Sequence, residues 1–171
     1  MDERYNIAFI DGQNLHLWIQ SEWRQIDLKR FRIFLKDKFH VQEAYYFLWC
    51  ISEWEQGLYD SLQKAWFIVS FREHSFNLKG KKKWNVDVDI VFESMRKIIE
   101  KERFDQMVLV SGDGDYIRLV KYLMKKGLLK KVIFPNKHYS SLYRPIQEFY
   151  WMNISVKDVR WKLEYKKKET P

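Results

Sequence analysis

Short apolar runs alternate with longer segments of helical periodicity along most of the chain. Residues 7–10 and 107–110 are apolar at every position, which is typical of strands covered on both faces of a parallel sheet. Further strands are predicted at 44–49, 67–71 and 131–134. Apolar residues at helical spacing predict helices at 28–39, 53–66, 88–99 and 117–124, and Gly127 is placed to end the last. The alternation predicts a three-layer α/β/α sandwich with a mainly parallel central sheet.

Length and composition narrow the class of protein. A chain of 171 residues fits one domain, which we place at 1–160, followed by a basic tail at 161–171. A hydrophobic content of 46% excludes a disordered or low-complexity chain. The single cysteine, Cys50, excludes an intramolecular disulfide and a multi-cysteine zinc site, and it fits a reducing compartment. No apolar run approaches the ~18 residues of a membrane span, and the start MDERYN does not resemble a signal peptide. We therefore expect a cytoplasmic protein without a membrane partner.

Positive charge is gathered in three runs of lysines. The formal net charge is +8. The runs are Lys79 with Lys81, Lys82 and Lys83, followed by Trp84; the lysines around Gly127; and those between 162 and 168, near Trp161 and Tyr165. Any one run is explained equally well as a solvated loop. Three runs with aromatic neighbours favour nucleic acid, because lysines bind phosphates and bases stack on the rings.

Aspartates follow both of the strongest predicted strands. Asp11 ends the first, and the sequence Ser111-Gly112-Asp113-Gly114-Asp115 follows the second. Asp87 stands at the start of the 88–99 helix. Ligands of open α/β sheets bind at the carboxyl ends of strands, where these acids are expected to meet. Crowded carboxylates repel unless a cation relieves them, and Mg²⁺ or Mn²⁺ prefers such all-oxygen ligands.

Each aspartate has a simpler explanation as well. Asp115 and Asp87 fit helix N-caps, while Asp11 and Asp113 precede glycines and fit turns. Taken singly, these explanations are as good as the functional one. Together, two acid-tipped buried strands and a third acid at a helix start favour a metal site.

Three segments resemble the signature blocks of the NYN domain family. They are IAFIDGQN at 7–14, NVDVDIVFESM at 85–95 and LVSGDGDYIRLVKYLMKKG at 109–127. The resemblance runs from about residue 5 to residue 155, and Tyr116 stands where the family usually has Phe. The segment with Ser140-Ser141-Leu142, followed by a helix and then Ile154, is similar to the family's closing element. NYN domains, including the LabA-like group, are PIN-like metal-dependent ribonucleases, so the resemblance implies that fold and activity.

The resemblance also implies roles for individual residues. Asp11, Asp87, Asp113 and Asp115 match the family's catalytic and metal-binding acids. Asn14 matches the polar residue that orients metal or substrate, and Ser111 matches a supporting hydroxyl. Asn85 departs from the usual Gly, and Glu93 stands where the family often has a second Asp. Whether Glu93 or Asp89 joins the metal site stays open at this stage.

The sequence therefore predicts an Mg²⁺- or Mn²⁺-dependent nuclease that acts on single-stranded or structured RNA, with Lys79, Lys81, Lys82, Lys83 and Trp84 binding the strand. The main alternative is a non-catalytic RNA-binding or assembly module that keeps the fold. A Toprim-like domain expects Glu on its first strand, and an Asp-x-Asp-x-Thr phosphatase needs an acid where Gln13 stands. PIN-like domains often pair, and the aromatic content leaves room for a homodimer interface.

Replacing Lys81, Lys82 and Lys83 together by Ala should weaken RNA binding about equally for all sequences. The salt dependence of binding should also flatten, because lysine–phosphate contacts release counterions. Folding should change little, since exposed substitutions usually alter stability by less than about 0.5 kcal/mol. Binding of labelled RNA at several salt concentrations is the measurement. An unchanged salt slope would move the binding surface elsewhere, with residues 162–168 the next candidate.

Overall fold

The structure is a computed structural model that describes residues 4–15, 26–48, 56–71 and 86–164 of the chain. Six strands are present in the described ranges: β1 (Asn6–Asp11), β2 (Val41–Leu48), β3 (Ile68–Phe71), β4 (Met107–Val110), β5 (Leu129–Phe134) and β6 (Trp151–Asn153). The helices there are α1 (Leu28–Phe39), α2 (Gln56–Lys64), α3 (Asp87–Ile99), α4 (Ile117–Lys125) and α5 (Lys157–Leu163). Residues 12–15 are helical as well.

The strands form one sheet in the order β3-β2-β1-β4-β5-β6, and every neighbouring pair is parallel. Strand β1 lies between β2 and β4, so residues far apart in sequence are neighbours: Ile10 pairs with Val110. The chain builds the sheet outwards from β1 in one direction and then, from β4, in the other. This confirms the predicted parallel sheet. The strand order reverses between β1 and β4.

Strand periodicity divides the core into two layers. Ala8 and Ile10 face a cluster that includes Phe31 and Leu35 of α1. Ile7 and Phe9 point the other way, into a cluster that includes Ile90 of α3. All four strand residues are at most 1% exposed, as expected for a strand buried on both faces. The predicted three-layer α/β/α arrangement is therefore confirmed.

Local signals explain where several helices begin and end. Helix α1 has the predicted bounds because the Asp27 carboxylate accepts a hydrogen bond from the amide of Arg30, the usual device of an N-cap. Gly127 follows α4 with a φ of +71°, the left-handed conformation that favours glycine after a helix. The helix predicted after Leu142 is wrong: residues 141–143 and 148–150 form separate 3-10 turns.

The C-terminal helix α5 was not predicted. Its Leu163 is 1% exposed, and the Leu163 carbonyl accepts a hydrogen bond from the amide of Asp27 at 2.8 Å. Residues 161–164 thus belong to the fold, whereas 165–171 lie outside the described residues, as does Cys50. No helix in the described part of the chain is both long and apolar enough to span a bilayer.

Gly12 sits where β1 meets the 12–15 turn and has no room for a side chain. A Cβ there would lie 2.4 Å from a ring carbon of Tyr46 and 2.5 Å from the carbonyl oxygen of Phe47. Replacing Gly12 by Ala should therefore lower the free energy of unfolding by about 1–3 kcal/mol, the usual effect of overpacking.

The matched control is Gly57→Ala, because a Cβ at Gly57 of α2 meets nothing within 4 Å. That variant should be neutral or more stable by up to about 1 kcal/mol, since alanine favours helices. Urea denaturation of both variants is the measurement. Equal stabilities of the two would show that the close approach at Gly12 is relieved by a backbone shift.

Candidate metal centre

The carboxyl ends of β1 and β4 lie side by side at the point where the strand order reverses. In open parallel sheets the connections leave this point in opposite directions, which opens a crevice where ligands bind. Asp11 is the last residue of β1, and the loop with Asp113 and Asp115 follows β4. The structure thus brings these three residues to the same edge.

Asp11 is buried, with 4% of its surface exposed. Three groups donate hydrogen bonds to its carboxylate. The hydroxyls of Ser111 and Tyr116 each lie 3.3 Å from Oδ2, and the backbone amide of Asn14 lies 2.9 Å from Oδ1. Ser111 reaches Asp11 because Asp11 at the end of β1 and Ser111 just after β4 both continue the strand faces that point toward α3.

Burial raises the pKa of Asp11 to about 6. The hydrogen bond from Asn14 acts in the opposite direction, the negative charge of Asp87 raises the pKa further, and the two hydroxyls lower it. The pKa of Tyr116 is raised by burial and by the charges of Asp11 and Asp87, with both of which its hydroxyl interacts. Tyr116 therefore keeps its proton and links the two carboxylates.

The loop after β4 is held by several hydrogen bonds. Ser111 Oγ accepts from the amide of Asp113 at 3.1 Å, and Asn14 Oδ1 accepts from the amide of Gly112 at 3.2 Å. Asp113 Oδ1 accepts from the amide of Asp115 at 3.1 Å, which caps the 3-10 turn 114–116. These contacts fix the backbone of the loop and the direction of the Asp113 side chain.

The segment after β5 packs against the same loop. The buried Tyr143 donates from its hydroxyl to the carbonyl of Asp113 at 2.7 Å. Gly114 lies so close to this segment that a Cβ would stand 2.5 Å from the hydroxyl oxygen of Ser140. The loop with Asp113 and Asp115 is thus supported on two sides.

Asp87, Asp113 and Asp115 form a group that fits a cation. One carboxylate oxygen from each lies within 4.8 Å of the others. Oxygen ligands on opposite sides of one Mg²⁺ or Ca²⁺ ion are about 4–5 Å apart, so the three oxygens have the spacing of a common coordination sphere. Asp87 is 8% exposed and is the first residue of α3, whose N-cap is Val86. Its position is therefore not that of the helix cap.

Other residues named from the sequence lie apart from this group. Asp11 is separate from the three and connects to Asp87 through Tyr116. Glu93 accepts two hydrogen bonds from Arg96, at 2.9 and 3.1 Å. Asp89 does not belong to the group of three either. The predicted RNA-binding residues Lys79, Lys81, Lys82, Lys83 and Trp84 lie outside the described residues, as does Asn85.

Two tyrosines near the site were not predicted to act there. The sequence did single out Tyr116 as an unusual residue at its position, and the structure shows that the extra hydroxyl binds Asp11. Tyr143 gave no signal, because its contact with Asp113 joins residues 30 positions apart.

The fold and the site define an α/β protein with grouped carboxylates at the switch point of a parallel sheet. The family model of the NYN domain matches residues 6–153, so the chain belongs to the NYN domain family, whose members are PIN-like and typically nucleases. This confirms the family predicted from the three sequence blocks.

Comparison with individual proteins agrees with this assignment. The chain is 26% identical over 127 residues to the Low amplitude and bright protein LabA of Synechococcus elongatus, a match that covers 69% of this chain and 67% of that protein. A crystal structure of a protein of unknown function from Vibrio parahaemolyticus has the same fold, with a TM-score of 0.72 and 21% identity. That similarity covers 90% of this chain and 95% of the Vibrio chain.

Replacing Asp11 by Asn should stabilise the metal-free protein at pH 7.5 by roughly 2–3 kcal/mol, because a pKa near 6 means that burial disfavours the carboxylate. The protonated Asp11 contributes stability that is complete below about pH 4 and is lost as the pH rises through about 6. The variant should therefore resemble the wild type at pH 4.

Chemical denaturation in EDTA at both pH values is the measurement, with the exposed Asp37→Asn of α1 as the matched control. If Asp11→Asn is less stable than the wild type at pH 7.5, the three hydrogen bonds outweigh the penalty of burial.

Proposed function

We propose that the chain is a divalent-cation-dependent nuclease that hydrolyses RNA phosphodiester bonds. The observation that carries this proposal is the group of three carboxylates, Asp87, Asp113 and Asp115, at the carboxyl edge of the sheet. The chain belongs to a family whose members are typically nucleases, which supports hydrolysis of phosphodiester bonds as the reaction type. The choice of RNA rests on the family resemblance and on the net charge of +8.

Asp87, Asp113 and Asp115 would hold Mg²⁺ or Mn²⁺, and Asp11 adds a fourth negative charge next to Asp87 that attracts the cation. When bound, such an ion supplies a water of lowered pKa and neutralises charge on the scissile phosphate. The chain's own task is to keep the ligands in place. Ser111 and Asn14 do so by binding both Asp11 and the loop after β4.

Exposed basic side chains close to this edge offer a path for the RNA backbone. Lys137 and His138 lie three and four residues after the end of β5, the strand next to β4, and both are exposed. Their segment is joined to the site loop by a hydrogen bond from the amide of Ser140 to the carbonyl of Gly112 at 2.9 Å. We propose that these side chains, together with the lysine run at 79–83, bind phosphates of the strand. The cytoplasmic location and the homodimer stay predictions.

Asp113→Asn is the variant that tests this function. It is nearly isosteric, and its amide oxygen still caps the turn 114–116. Millimolar Mn²⁺ should raise the melting temperature of the wild type by mass action on the folded state and should raise that of the variant less. Cleavage of labelled RNA should fall by orders of magnitude in the variant, while RNA binding in EDTA should persist or tighten.

Asp37→Asn serves again as the control and should behave as the wild type in all three assays. Wild-type protein that binds RNA without cleaving it would identify a binding module instead. Metal-dependent cleavage that survives unchanged in both Asp11→Asn and Asp113→Asn would assign the activity to another site or to a contaminant.

A further inference from the structure

A hollow of about 680 Å³ lies at the opposite edge of the sheet from the carboxylates. Its residues come from the amino ends of strands: Arg4 and Tyr5 precede β1, Arg103 and Asp105 precede β4, and Lys130 is the second residue of β5. Gln106, which also precedes β4, and Phe149 of the 148–150 turn complete the wall. We call these seven residues the amino-edge hollow. The six residues of β1, at about 3.3 Å each, put it about 20 Å from Asp11.

The charge of the amino-edge hollow is positive. Arg4, Arg103 and Lys130 line it together with one acid, Asp105. The Asp105 carboxylate already accepts a hydrogen bond from the amide of Tyr5 at 2.6 Å, and the Asp105 amide donates to the Tyr5 carbonyl at 2.7 Å. Asp105 therefore fixes the backbone of the hollow, and the three cations exceed it in charge.

Two aromatic rings lie beside these cations. The Phe149 side chain is 72% exposed, and its ring contacts Tyr150 edge-on at 5.3 Å and the amine of Lys131 at 5.1 Å. Lys131 also donates to the Phe149 carbonyl. The Tyr5 ring carries the Arg103 guanidinium at 5.6 Å. An exposed aromatic ring offers a surface on which a flat base can stack.

We propose that the amino-edge hollow binds a nucleotide unit, with its phosphate on Arg4, Arg103 and Lys130 and its base against Phe149. Phosphate and a flat aromatic base are the two groups that cations and an exposed ring recognise together. The volume lies in the range of pockets that enclose small ligands, which is about 300–1,000 Å³. The nucleotide is either free or part of an RNA strand. The proposal goes beyond the proposed function, because it concerns the other edge and requires no cleavage.

The test measures binding of two probes to the full chain in EDTA, which prevents metal-dependent cleavage. The probes are 5′-adenosine monophosphate and a labelled single-stranded RNA. Arg103→Ala and Phe149→Ala should each weaken binding of at least one probe by about fivefold or more, as expected for loss of a phosphate contact or of base stacking. Lys130→Ala is a third variant in case one of these fails to fold, which the melting temperature will reveal.

Matched controls come from exposed residues elsewhere. Lys121→Ala on α4 removes a cation, and Phe92→Ala on α3 removes a ring that is 62% exposed. Both should bind the probes as the wild type does. Binding of the monophosphate in EDTA requires neither a metal ion nor cleavage, so a chain that shows no nuclease activity leaves the proposal standing.

The two probes also separate the sources of the nucleotide. If the variants of the hollow weaken binding of the monophosphate, the ligand is a free nucleotide. If they weaken binding of the RNA alone, the ligand is a nucleotide within an RNA strand. The proposal is overturned if neither probe binds or if Arg103→Ala and Phe149→Ala leave both affinities unchanged. It is also overturned if only the arginine variant has an effect, since an acidic peptide or a simple anion needs no ring.

Discussion

The buried carboxylate of Asp11 is the group around which the site is arranged. A charge removed from water is costly unless hydrogen bonds replace the lost solvent. Asp11 obtains them from Ser111, Tyr116 and Asn14. Two of these partners have a second task, because Ser111 also accepts from the amide of Asp113 and Asn14 accepts from that of Gly112. The hydrogen bonds that stabilise the buried charge of Asp11 thus also position the loop that carries Asp113 and Asp115.

This arrangement leaves an electrostatic conflict in the protein without metal. The negative charge of Asp87 destabilises the ionised form of Asp11. The close approach of the carboxylates of Asp87, Asp113 and Asp115 adds further repulsion. Tyr116 relieves part of it, since its proton stays between Asp11 and Asp87. The apolar clusters on both sides of the sheet contribute stability that offsets this repulsion. The proposed metal-binding role and the stability of the fold therefore make opposite demands on the same few residues.

Much of this was predictable from the sequence, for identifiable reasons. The four-residue apolar runs predicted β1 and β4, and apolar residues at helical spacing predicted the bounds of α1, because each pattern depends on neighbours in the chain. Strand β6 was not predicted because its three residues, Trp151, Met152 and Asn153, are too few to show an apolar run or an alternating pattern. The acids at strand ends could be placed at one edge from the topology alone. The contact of Tyr143 with Asp113 depends on tertiary packing, which no local pattern encodes.

The central position of β1 has a consequence for the order in which a growing chain can acquire its site. Asp11 is made 100 residues before its partner Ser111, and β4 must pair with β1 before they meet. Contacts of such long sequence separation form late, because the loop between them has to be closed first. A nascent chain that ends before residue 111 contains Asp11 and Asp87 but neither acid of the later loop. The grouped carboxylates therefore come into existence only after residue 115 has been synthesised and the two halves of the sheet have joined.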